Sequence, residues 1–393
     1  MSTGPEWLSV SAGRPRPPRW LLGLAAAVVV VALVALGLRV HRYEQQVIPT
    51  PSPTPLVSAA TTPPPSQQPD PSGLKANAVY HLPHPLLGIT GSWELFGYGT
   101  DGVVRFEPAA ARVTVSPVGE VHSSGPLSFV VGRDRALVRP LDSVPGYQVA
   151  DGRPATGLRG SLTSGGWIFP GPDPDHVWQI TAGDSTRGDL VSLVGRLEPK
   201  HFTMPEGGSG FTATGDRAGN VAVGGVGGTY LATADGLHKI TAGILLAIGP
   251  TRWLTEECDT VASCSAVVTD RHTGRQVRLD DLSLGPGSTP GVISPDGETA
   301  VIPIPTITGQ QYNLVDLHTG GLRQIAVPIA GPQPDAAVWS PDSRWLFLLG
   351  ADRRTYAVNP ATGGAQLLAL PLNGLLDALA IRDLSDQDPA PTR

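Results

Sequence analysis

Residues 293–304 read ISPDGETAVIPI and residues 339–350 read WSPDSRWLFLLG. Each sets Ser-Pro-Asp before an apolar, strand-like run, and the two triplets stand 46 residues apart. Proline fixes the entry angle of a turn and the aspartate after it accepts backbone N–H bonds. Asp296 and Asp342 therefore read as corner residues, with Gly297 completing the first corner. A reactive carboxylate pair needs a third group and a pocket, and the motif supplies neither.

A second motif also recurs. Asp270 to Gly274 (DRHTG), Asp316 to Gly320 (DLHTG) and Asn359 to Gly363 (NPATG) each separate two apolar runs, as a turn between antiparallel strands does. The unit is strand, Ser-Pro-Asp turn, strand, loop, strand, Thr-Gly turn, strand. Weaker copies upstream place the residue that opens the second strand at Trp93, Ala136, Val177, Val221, Trp253, Ala300 and Trp345. The steps define seven units of about 42 residues, the period of a four-stranded propeller blade. The expectation is an all-β, seven-bladed β-propeller over 78–383, with six or eight blades as alternatives. LLDALAIRD (375–383) matches the first strand of a unit and is expected to close the ring beside Trp93–Tyr98. Residues 384–393 are expected to form a disordered tail.

The Ser-Pro-Asp-Gly corner followed by an Asp-x-x-Thr-Gly turn resembles the repeats of TolB-like and tryptophan-aspartate-repeat-like bacterial propellers. The resemblance is close over 290–374, partial in the fifth unit and faint in the first four. It implies a ring of blades around a central channel and an envelope or transport-related setting. The partner domain expected before a TolB propeller is replaced here by an apolar run and a Pro-rich segment.

Trp20–Leu38 is an uncharged run of 19 residues. As a helix it spans roughly 28 Å, close to the hydrocarbon thickness of a bilayer. It is expected to be an uncleaved transmembrane helix after a short cytoplasmic segment (1–19), the alternative being a secretory signal removed by cleavage. Residues 39–77 are Pro, Ser and Thr rich and read as an extracytoplasmic stalk. The two cysteines, Cys258 and Cys264, sit in strand-like surroundings and are expected to form a disulfide across a hairpin, which suits an oxidising compartment. Together these place the propeller outside a cell membrane crossed once.

Other motifs assign no chemistry. Charged residues are 16% of the chain and the net charge is -6, without a basic stripe, so nucleic acid is not an expected partner. Pro172 to His176 (PDPDH) lacks the glycine and third acid of a calcium loop. His81 and His84 flank Leu-Pro, which breaks the helix a zinc pair requires, and read as an entry loop. Gly224 to Gly228 lacks the lysine of a phosphate loop, and no Gly-x-Ser-x-Gly elbow is present. The tryptophans read as packing between blades. No catalytic, metal or cofactor residue is assigned. The reading is a non-enzymatic binding or scaffold protein for a protein or cell-envelope ligand, the alternative a propeller-fold hydrolase or lyase acting on envelope carbohydrate.

Overall fold

The computed structural model describes residues 79–385 except 83–87, 119–126, 141–145, 165, 182–186, 206–211, 226, 261–262, 280–281, 283–289, 307–308, 330–335, 369 and 371–375. The segments expected to be cytoplasmic, membrane-spanning and stalk-like (1–19, 20–38 and 39–77) lie outside the described residues, as do His84 and residues 386–393. Among the described residues no helix is long and apolar enough to cross a membrane.

The fold is all-β in a propeller-like arrangement. Its strands form six sheets, four of four strands, one of five and one of eight. The eight-stranded sheet is two antiparallel four-stranded meanders, joined where Ile244–Ile248 and Gly291–Ile293 pair in parallel over two residues. Counted along the chain, the second meander begins at Leu127–Val131, the third at Trp167–Pro170, the fourth at Thr212–Gly215 and the fifth at Ile244–Ile248. The sixth begins at Gly291–Ile293 and the seventh at Ala337–Trp339.

The first meander takes its inner strand from the far end of the chain. Leu376–Asp383 pairs antiparallel with Trp93–Gly99, from Trp93 opposite Asp383 to Gly99 opposite Leu376. This inner strand packs on those of the second and seventh meanders, so the series of inner strands returns to its start. The positions read from sequence as opening each second strand fall on or within one residue of the observed starts, among them Trp93, Arg135, His176, Val221 and Arg252.

Two expectations are corrected. His81 belongs to a strand, Val79–His81, that adds an outer edge to the first meander by pairing with Arg112–Ser116, and is not in an entry loop. The segment is only three residues long, too short to show alternation. The tail does not begin at residue 384, because Leu384 donates its N–H to Ser92 O at 2.9 Å and so continues the ladder.

Packing on both faces explains the near-continuous apolar strands. Trp93–Gly99 and Leu346–Leu349 are buried throughout. Burying a side chain such as Phe347 or Leu348 contributes roughly 1.5–3 kcal/mol. Polar contacts then fix neighbouring meanders to one another. Trp178 Nε1 donates to Gly219 O at 3.0 Å, joining third to fourth. Arg271, which stacks 5.8 Å above Trp253, donates to the fully buried Asp216, joining fifth to fourth. Trp339 Nε1 donates to Val292 O at 3.2 Å, joining seventh to sixth.

The Ser-Pro-Asp corners are built alike in the sixth and seventh meanders. Ser294 Oγ donates to Asp296 Oδ1 at 2.6 Å and accepts Thr299 N at 3.0 Å. Ser340 Oγ donates to Asp342 Oδ1 at 2.6 Å and accepts Trp345 N at 2.9 Å. Gly297 holds φ at +78° and Ser343, its counterpart, at +59°. Across the gap, Asp296 N donates to Ser343 Oγ at 3.0 Å, so one corner braces the next.

The Thr-Gly turns repeat equally well. Gly274, Gly320 and Gly363 have φ of +69°, +75° and +71°, a region that favours glycine. Each donates its N–H to the carbonyl of the turn's first residue, Asp270, Asp316 or Asn359. The Asp270 carboxylate accepts Thr273 N at 2.8 Å and that of Asp316 accepts Thr319 N at 2.9 Å.

Candidate functional site

The inner strands of all seven meanders end around one cavity of about 420 Å³, on the face that carries the Ser-Pro-Asp corners. The volume is within the range of small-ligand pockets. Its walls are apolar, with Val292, Val338, Trp339 and Ile381 contributed by the sixth, seventh and first meanders. Its rim is proline, at Pro172, Pro174, Pro250, Pro295 and Pro341. These prolines lie in the corners of the third, fifth, sixth and seventh meanders, so the device that turns the chain also lines the cavity. Proline has no N–H, and the rim offers no backbone donor at these five places.

The charged groups at the mouth are engaged by their own turns. Asp173 Oδ1 accepts Asp175 N at 2.9 Å and His176 Nδ1 lies 2.7 Å from it. Asp383 Oδ1 accepts Ser385 N at 2.9 Å and Ser385 Oγ at 2.7 Å. Arg382 lies beneath the rim, bonded to Glu94, to Asp151 and to the carbonyls of Gly132 and Arg133. Arg217 stands at the mouth on left-handed backbone, with φ +62°.

Asp296 and Asp342 are engaged by serine hydroxyls and backbone N–H groups, and neither lines the cavity. Cys258 and Cys264 are bonded at 2.02 Å and face each other across strands Arg252–Thr260 and Ser263–Asp270. Both are exposed, at the end of that hairpin away from the corner turns. Among the described residues no group of three or more His, Cys, Asp or Glu side chains is placed to hold a metal ion.

Trp339 is the tryptophan that reaches the cavity, whereas Trp93 and Trp178 are buried between meanders. Sequence reading missed the cavity wall and Arg382. A signal existed in the proline that closes the first strand of several repeats, but it reads first as a turn.

No protein-family model matches the chain, and no curated protein does. Several solved structures are similar. One from Bacteroides uniformis, provisionally described as a 6-phosphogluconolactonase, has a TM-score of 0.49 at 11% identity, covering 74% of this chain and 100% of that chain. AztD from Citrobacter koseri has a TM-score of 0.45 at 11% identity, covering 75% and 98%. A protein from Agrobacterium tumefaciens, provisionally described as TolB, has a TM-score of 0.36 at 13% identity, covering 70% and 87%.

Proposed function

We propose that the protein is a binding platform, a seven-bladed propeller in which the eight-stranded sheet supplies two blades and the axial cavity receives a partner. The observation that carries this reading is the character of the cavity. Apolar walls and a rim with five prolines suit an inserted apolar group, and the carboxylates of Asp173 and Asp383 at the mouth are already held by turn donors. A single membrane span, a Pro-rich stalk and an extracytoplasmic location complete the proposal, supported by the 19-residue apolar run, the composition of residues 39–77 and the disulfide.

The test is retention of one cell-envelope protein or glycan by the full chain, compared with an Ile381→Asp variant that places a carboxylate in the wall. Retention by wild type and its loss in the variant is expected. Equal retention by both would remove the cavity from the reading. A topology reporter fused after residue 77 is expected to report the outer side of the membrane.

One observation favours a second reading. The Asp173–His176 contact at the mouth is an acid–imidazole arrangement able to activate water, as a hydrolase or lyase would require. Turnover of envelope carbohydrate by wild type, abolished in His176→Ala, would replace the binding reading with this one.

A further inference from the structure

The last described residues lie on the rim of the axial cavity. Leu376–Asp383 runs along its wall through Ala380, Ile381 and Arg382, and Asp383 lines the mouth. Leu384 and Ser385 are tied down there. Leu384 N donates to Ser92 O at 2.9 Å, and Ser385 bonds Asp383 Oδ1 through its N–H at 2.9 Å and its hydroxyl at 2.7 Å. The residues after Ser385 therefore start from a fixed point at the cavity.

Those residues are Asp386 to Pro391 (DQDPAP), a polar stretch followed by an apolar one. A chain extends by at most about 3.5 Å per residue, which keeps Pro389 within roughly 14 Å of Ser385 and Pro391 within roughly 21 Å. Because Asp383 itself belongs to the cavity lining, that reach brings both prolines to the walls.

We propose that the Pro389-Ala390-Pro391 segment of the same chain folds back into the axial cavity and seats a proline ring against Trp339, so that the protein occupies its own binding site until a partner displaces the segment. This rests on the reading of the cavity as a receiver of apolar groups. The walls formed by Val292, Val338, Trp339 and Ile381 gain by exchanging water for carbon, at roughly 25 cal/mol for each Å² covered. Trp339 Nε1 already donates to Val292 O, so the indole presents ring surface to an occupant. Proline-rich segments dock on aromatic surfaces as an extended left-handed helix, and proline side chains lose almost no rotamer freedom in doing so. The prolines bring no N–H to be buried, and the carbonyls of such a helix stay in water at the mouth.

Tethering supplies the rest. A short link holds its segment at an effective concentration in the millimolar range, so a contact with a Kd of about 1 mM in free solution is enough for half occupancy. A partner then meets a cavity that is free only part of the time, and its apparent affinity falls by that fraction. The segment acts as a built-in competitor.

The experiment labels the full chain with 5-fluorotryptophan and follows the fluorine resonance of Trp339, assigned by its loss in Trp339→Phe. The full chain is compared with one ended after Ser385 and with Pro389→Ser/Pro391→Ser. The second variant keeps the chain length, which preserves the comparison should the shortened chain fail to fold and controls for its new terminal carboxylate. The Trp339 resonance is expected to move in both variants, while those of Trp93 and Trp178, buried between meanders, stay in place. The free peptide DQDPAPTR, added to the shortened chain at millimolar concentration, is expected to return the resonance toward its position in the full chain. A Trp339 resonance that is the same in the full chain and in whichever variants fold overturns the proposal. So does a difference that grows with protein concentration, because the segment would then enter a second copy. No partner takes part in this measurement, so loss of envelope-ligand retention and loss of the Trp339 shift are separate failures.

Discussion

Arg382 and Glu94, 288 residues apart in the chain, are hydrogen-bonded in the interior, Nε to Oε2 at 2.7 Å, with both side chains almost fully buried. Arg382 lies on the inner strand that completes the first meander, and its guanidinium stacks 4.8 Å above Phe96. The same guanidinium also bonds Asp151 and two carbonyls of the second meander. One side chain thus ties the closing strand both to its own sheet and to the next.

Removing one side of that pair leaves the other charged and buried. Arg382→Ala and Glu94→Ala are each expected to destabilise the fold by about 3–5 kcal/mol, measured by denaturant unfolding. The Glu94→Leu/Arg382→Met double variant is expected to lose less than the sum of the two singles. Additive losses would mean that the two groups do not act as a pair.

Ending the chain after Asn373 removes the inner strand of the first meander, leaving the second and seventh meanders without their neighbour. The expected outcome is a melting temperature lower by several degrees or more and faster proteolysis, since the edge of Trp93–Gly99 loses its ladder. A melting curve unchanged from wild type would show that the ring does not depend on this closure.

The Thr-Gly turns carry a pH dependence of known sign. Turn donors, first the N–H of Thr273 for Asp270 and of Thr319 for Asp316, hold both carboxyls below their ordinary value. Their folded-state proton affinities are lower than in the unfolded chain, so the stabilisation is complete above about pH 4 and is lost as the pH falls through the depressed values. Asp270→Asn/Asp316→Asn is expected to flatten the fall in melting temperature below about pH 4. Asn359 already serves in the third turn, accepting Ala361 N at 3.0 Å, so the asparagines are expected to keep the turns formed.

Gly297 and Ser343 hold equivalent left-handed positions and predict different outcomes. A Cβ on Gly297 would stand 2.6 Å from Thr251 Oγ1, and left-handed backbone adds roughly 1–2 kcal/mol for an L-residue, so Gly297→Ala is expected to destabilise by about that much or more. Ser343→Gly relieves the same backbone term but gives up the bond from Asp296 N, and is expected to change stability by less than about 1 kcal/mol. Thermal unfolding of both variants decides the comparison.

Glu256 occupies in the fifth unit the position that Arg139 holds in the second. It is 8% exposed and has no side-chain partner among the described residues. Glu256→Met keeps the approximate volume and removes the charge, and is expected to stabilise the protein by about 1 kcal/mol or more. A loss of stability would show that the carboxylate has a role in the fold.

The architecture was legible because a turn motif recurs. Ser-Pro-Asp marks a fixed point in the last two units and Thr-Gly in the last three, and Trp93, Trp253 and Trp345 locate second strands, the first two where the Ser-Pro-Asp corner has drifted. Leu376–Asp383 was legible because LLDALAIRD matches the first strand of a unit. Val79–His81 was not, since three residues carry no period. The cavity was not legible either. Pro172, Pro250, Pro295 and Pro341 explain themselves as corners, and only closure of the ring brings them to one rim. Arg139 and Glu256 could be seen to break the apolar pattern, but that Arg139 meets the carbonyls of Leu162 and Ser164 is a property of three-dimensional neighbours.

The outer strand Val79–His81 has a mechanical consequence. The chain enters the fold at the periphery, through three residues paired with Arg112–Ser116 and through Leu82 N, which donates to Ala111 O at 2.8 Å. Tension transmitted along the preceding residues falls first on this short outer ladder, which can be peeled bond by bond. The Arg382 clasp lies on the inner strand of the same sheet, with the rest of the sheet between. A pull at this end that frees only these few residues leaves the ring closed, so the edge strand would yield before the clasp does.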